Sequence, residues 1–163
     1  DEINHLPGYA FARETTEADY LIAPQDAKRA AKQGIVVVTT ACVARFFAKD
    51  EGLAAVQAAQ RKNLRLLKQH GVRLAIGSDT YTGNSVEEAM YLKSLDVFDH
   101  AELLRMWTET AAQTIFPRRR IGRLHEGYEA SFLVLRGNPL ESFEHVTNIR
   151  LRFKQGVLIN AAQ

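Results

Sequence analysis

Apolar and polar positions alternate in blocks along the first two thirds of the chain. Ile35 to Thr39 is a β-branched run behind Gly34, apolar on both faces as a strand inside a parallel sheet must be. Val72-Arg-Leu-Ala-Ile-Gly77 is a second such segment. Asp1-Glu-Ile-Asn-His5, ahead of a Pro7-Gly8 turn, reads as the end of a third. Helical patterns lie between and after them. Pro24 to Gln33 carries proline in its first turn, alanines inside and Gly34 as its stop. From about Asp50 to His70, Leu53, Val56, Ala59, Leu64 and Leu67 fall near one stripe, and Gly71 is a suitable residue to end it. Ser85-Val-Glu-Glu88 has capping-box spacing and opens a helix to about Leu95. Asp99 opens another, with Leu103, Leu104, Trp107 and Ala111 on one side and Pro117 at its end. Residues 9–23 show no period and read as a long loop with at most one helical turn.

Beyond residue 117 the pattern changes to short strands and turns, punctuated by Gly122, Gly127, Gly137-Asn138-Pro139 and Gly156. Ser131 to Leu135 and Leu151 to Gln155 are the best strands there. The expected division is therefore an α/β part over 1–117 and a β-rich part over 118–163. Strand-helix alternation in the first part argues for a parallel sheet.

Composition narrows the class. The chain has 163 residues, 46% hydrophobic and 25% charged, which excludes disorder and collagen. A single cysteine excludes an internal disulfide framework, and a reducing cytoplasm is the expected compartment. Twenty-one basic against 19 acidic residues leave a formal charge of +2, too balanced to argue for nucleic acid. No apolar run approaches the ~18 residues of a membrane span, so no membrane partner is expected.

The candidate chemistry sits just after strand ends: His5 after the first, Thr39-Thr40 after the second, Ser78-Asp79 after the third. In α/β folds that edge is where active sites are built. A carboxylate such as Asp79 can there bind a cation, act as a general base or cap a turn. His5 can ligate a metal or hydrogen-bond to backbone in a loop. His70, His100, His125 and His145 fall in a helix end and in turns, where structural roles are the rule. Cys42 reads as a small core residue, and Arg118-Arg-Arg120 as a solvated linker face. No His pair at i,i+2 or i,i+4, no Cys pair, no GxGxxG and no phosphate loop is present.

Three strands cannot close an eight-stranded barrel of about 250 residues. The segment is either a small open sheet or the tail of a barrel. Four stretches decide between these. Asp1-Glu-Ile-Asn-His5-Leu-Pro-Gly8, Gly34-Ile-Val-Val-Val-Thr-Thr40 and Gly71-Val-Arg-Leu-Ala-Ile-Gly-Ser-Asp79 resemble the sixth, seventh and eighth barrel strands of the amidohydrolase superfamily. Imidazolonepropionase- and prolidase-like members are the nearer likeness. Thr110-Ala-Ala, Ile121-Gly-Arg-Leu-His-Glu-Gly-Tyr-Glu-Ala and Gly137-Asn-Pro-Leu140 resemble that family's exit from the barrel into a small β-sandwich domain. A departure is Ala130-Ser131-Phe132, where the family usually has Ala-Asp before the strand.

The resemblance implies the C-terminal part of a (β/α)₈ TIM barrel, strands 6–8, followed by strands of a small β-sandwich. It implies one or two divalent ions, zinc or similar, in the barrel mouth. His5 and Asp79 would be metal ligands here, the other ligands lying upstream of Asp1. Asp79 would also be the catalytic base, taking a proton from a metal-activated water and passing it to the leaving amine. Thr80 and Tyr81, in the loop that follows, would contact substrate. The implied reaction is hydrolysis of a C–N bond in an amide, cyclic amide or peptide-like small molecule. The alternative is a non-catalytic remnant serving as an assembly or binding module. Exposed strand edges lead to the further expectation of an oligomer, or of association with a missing N-terminal half.

Overall fold

The computed structural model describes residues 1–8, 14–48 and 50–161; the part of the expected loop at 9–13 lies outside them. They form two compact units, Asp1–Val97 and Phe98–Gln163. The helical run before Pro117, grouped above with 1–117, clusters with the residues after it.

In the first unit, β1 (Glu2–Asn4), β2 (Val36–Val38) and β3 (Arg73–Ala75) make a parallel sheet in chain order. Ile3 pairs with Val37 and Val37 with Leu74, so the three strands end level with one another. The crossovers are the expected helices, α1 (Pro24–Lys32) and, after a one-turn α2 (Ala44–Phe47), α3 (Asp50–Gln69). The α3 stripe is buried as its spacing requires: Val56, Ala59, Leu64 and Leu67 are at most 2% exposed. Two polar residues share that burial. Asn63 accepts from the Ile22 amide and donates to the Tyr20 carbonyl, holding the segment ahead of α1. Gln60 donates to the carbonyls of Gly8 and Ala41 and accepts from the Tyr91 hydroxyl at 2.6 Å. It thereby ties the loop after β1 to the loop after β2. The expected helical turn in the first loop is present at Glu17–Tyr20.

Helix α4 (Val86–Ser94) follows β3. Its start differs from the capping box read in the sequence. The Ser85 side chain makes no cap hydrogen bond; the Asn84 side chain accepts from the Val86 amide instead. Glu88 is drawn inward and fully buried.

In the second unit, α5 (His100–Arg105) runs through a π-helical turn at Met106–Thr110 into α6 (Ala111–Ile115). Here the capping box is formed: Asp99 accepts from the Glu102 amide and Glu102 from the Asp99 amide. An antiparallel sheet follows, β4 (Phe132–Leu135), β5 (Ile149–Lys154) and β6 (Val157–Ala161), in that order. Phe132 and Phe153 stack across it at 4.7 Å. No helix of the described residues is long and apolar enough to cross a membrane.

Candidate active site at the strand ends

Each strand of the parallel sheet is followed at its C-terminal end by a side-chain-bearing residue in the left-handed region: His5 at φ 74°, Thr40 at φ 46° and Asp79 at φ 51°. His and Asp tolerate that region; for a β-branched threonine it is a true outlier. Such residues cost of order 1–3 kcal/mol each and gather where a site demands a particular aim. The ladder continues past the strands to hold them. The amides of His5 and Leu6 donate to the carbonyls of Val38 and Thr39, and the Thr39 amide to that of Ala75, all at 3.0 Å.

The result brings the strand-end groups together. His5 Nδ1 lies 2.9 Å from Thr40 Oγ1 and 3.8 Å from Asp79 Oδ2. The His5 and Asp79 side chains are 47% and 42% exposed, open to a ligand from the edge while their backbones are fixed. Imidazole nitrogen and carboxylate oxygen are both ligand atoms that a zinc-like ion accepts. Two donors fall short of the three or four such ions take. Among the described residues no group of three His, Cys, Asp or Glu stands ready for a metal.

Thr80 and Tyr81 part company. The Thr80 hydroxyl is buried and has no hydrogen-bond partner among the described residues, whereas Tyr81 projects fully into solvent. The remaining histidines are placed elsewhere. His100 Nδ1 contacts the Leu140 carbonyl and its ring leans on Phe143; His125 Nδ1 contacts the Glu126 carbonyl. Arg119, of the basic run, pairs with Glu129 at 2.6 Å. Cys42 is buried, and burial first, then the nearby Glu88 charge, push its thiol up to about 12.

Glu88, read in the sequence only as a capping-box residue, has a different role. Its Oε1 accepts from Thr39 Oγ1 at 2.5 Å and from the Ala41 amide at 2.8 Å, and its Oε2 from the Cys42 amide at 2.6 Å. Burial raises its pKa and these donors oppose that rise. A Glu at the third position of a helix looks like a cap or a surface charge. Only the chain path of the preceding loop turns it toward β2.

Comparison with known proteins adds an independent line. A model of the amidohydrolase family matches residues 7–156. The ochratoxinase of Aspergillus niger is 28% identical over 125 residues, 69% of this chain and 26% of that protein. The crystal structure of A. niger ochratoxinase matches at a TM-score of 0.74 and 25% identity, covering 86% of this chain and 35% of that one. A prolidase solved with N-methylphosphonate-L-proline matches in fold at a TM-score of 0.66 and 22% identity, over 99% of this chain and 40% of the other. The chain thus spans about a quarter of the length of the curated relatives it matches.

Proposed function

We infer from one premise, that this chain belongs to the amidohydrolase family, that it carries part of the active site of a metal-dependent hydrolase acting on amide bonds. On this reading β1, β2 and β3 are strands 6–8 of a (β/α)₈ barrel, and the β4–β6 sheet is part of a small β domain. The observation that carries the proposal is the meeting of His5, Thr40 and Asp79 at the C-terminal ends of three parallel strands. In barrels of this kind that edge holds the catalytic groups.

His5 and Asp79 would hold a divalent ion, zinc or similar, together with donors from outside this segment. A bound ion of that kind supplies Lewis acidity, lowering the pKa of water toward ~7 and polarising a carbonyl oxygen. The chain's own residues do the rest. Asp79, aimed by its left-handed backbone and half open to solvent, accepts a proton from the attacking water. It then delivers that proton to the departing nitrogen, so that the amide yields a carboxylic acid and an amine. Thr40 fixes the His5 ring. Thr80 and Tyr81, in the loop after Asp79, would contact substrate, Tyr81 from the solvent side. The substrate class is a small amide or peptide-like molecule, the prolidase among the structural relatives making an X-Pro dipeptide the first to assay. The exposed apolar side chains of Leu133, Val157, Leu158 and Ile159 favour association with a further segment or copy.

The test is hydrolysis of X-Pro dipeptides and N-acyl amino acids by the full-length protein, before and after chelation and after zinc is restored. Activity should vanish with the metal and return with it. Hydrolysis that is unchanged after complete metal removal contradicts the proposal.

A further inference from the structure

Glu88 is an ionisable side chain with no exposed surface, and its three donors come from Thr39, Ala41 and Cys42. These residues flank Thr40 on both sides. Thr40 is the β-branched residue held at φ 46°, and its hydroxyl lies 2.9 Å from His5 Nδ1. A backbone outlier persists only where its surroundings over-determine it. Beside the strand ladder that holds Thr39, one carboxylate here grips the amides of Ala41 and Cys42 and the Thr39 hydroxyl. Relax that grip and threonine returns to an ordinary φ, carrying its hydroxyl away from His5. A metal-binding imidazole needs its second ring nitrogen occupied by a partner, which settles both ring orientation and tautomer.

We propose that Glu88 is a positioning residue for the site: it locks the Thr39–Cys42 turn so that Thr40 Oγ1 accepts from His5 Nδ1–H, leaving the Nε2 lone pair to face a metal ion. This rests on the reading of His5 as a ligand, given under Proposed function. Glu88 itself touches neither substrate nor metal.

The experiment reads the His5 ring directly, in the metal-free protein with ¹⁵N-labelled histidine, the His5 signals being assigned from a His5→Asn variant. In the parent, His5 should be a single neutral tautomer protonated at Nδ1. In Glu88→Gln one oxygen becomes an NH₂ group that faces a backbone N–H, donor against donor, so the turn loosens. The His5 signals should then move toward a mixture of both tautomers. Zinc affinity should fall about 10–100-fold, the usual loss when a partner behind a metal ligand is removed. Thr40→Val, which puts a methyl in place of the hydroxyl and keeps the β-branch, should produce the same tautomer mixing and serves where Glu88→Gln folds poorly. A parent His5 protonated at Nε2, or a His5 spectrum that neither variant alters, overturns the proposal. If His5→Asn binds zinc as tightly as the parent, the ligand reading falls. The tautomer measurement still judges the Glu88 clamp separately.

Discussion

Gly77→Ala tests how tightly the strand ends are packed beneath the site. Gly77 sits between β3 and Asp79, with its backbone outside the left-handed region, so the obstacle to alanine is space. An added Cβ would stand 2.5 Å from Val38 Cγ1 and 3.4 Å from Thr40 Cγ2. Val38 cannot swing aside, because a β-branched side chain on a strand has few χ1 alternatives. The methyl therefore wedges the ends of β2 and β3 apart. Overpacking of this kind costs about 1–3 kcal/mol. Loss of glycine's freedom in the unfolded chain returns about 0.4–1 kcal/mol. The net expectation is a loss of about 1–2 kcal/mol in equilibrium urea unfolding. Val38→Ala removes the offending methyl, and the double variant should lose about 1 kcal/mol less than the sum of the singles. A Gly77→Ala protein as stable as the parent, with additive behaviour in the double variant, would refute the packing argument.

Further outcomes follow from two buried groups. Tyr91→Phe strands the Gln60 carbonyl oxygen that now accepts at 2.6 Å, and should cost about 1–3 kcal/mol in the same unfolding assay; no loss would mean that the bond does not bear on stability. Cys42, with its thiol raised from 9.0 to about 12, should resist thiol reagents at pH 8 in the folded protein and react fully when unfolded. Its folded pKa lies above the unfolded one, so its contribution is whole below pH 9 and is lost between pH 9 and 12, at up to about 1.4 kcal/mol per pH unit. Cys42→Ala should flatten that alkaline decline; an unchanged slope would assign it to other groups.

The elements that carry the site were legible because their signals are local. A β-branched run behind Gly34, the stripe of α3 and the Asp99 cap each speak through neighbours a few residues apart, and each is formed. His5, Thr40 and Asp79 were visible as polar residues after strand ends. What was not legible depends on distant pairing. The helical turns at Ala41–Val43 and Ala44–Phe47 were hidden in a mainly apolar stretch that resumes just after Thr39-Thr40. β6 is short and follows a tight Gly156 turn, and it becomes a strand only by pairing with β5. Glu88 was the largest omission. Its spacing from Ser85 matches a capping box, and only the fold shows Asn84 taking the cap while Glu88 turns inward.

The central claim is that Asp79 moves a proton in amide hydrolysis. Asp79→Asn in the full-length protein tests it most directly, with turnover number, KM and metal content measured on the same samples. The amide keeps the size and can still offer an oxygen to a metal, but it cannot accept a proton at neutral pH. With metal content unchanged, turnover should fall by about 10²–10⁴, or ~3–5 kcal/mol on the barrier, while KM changes little. A fully metallated variant whose turnover stays within about threefold of the parent, under ~1 kcal/mol, would contradict the account and leave Asp79 as a turn cap.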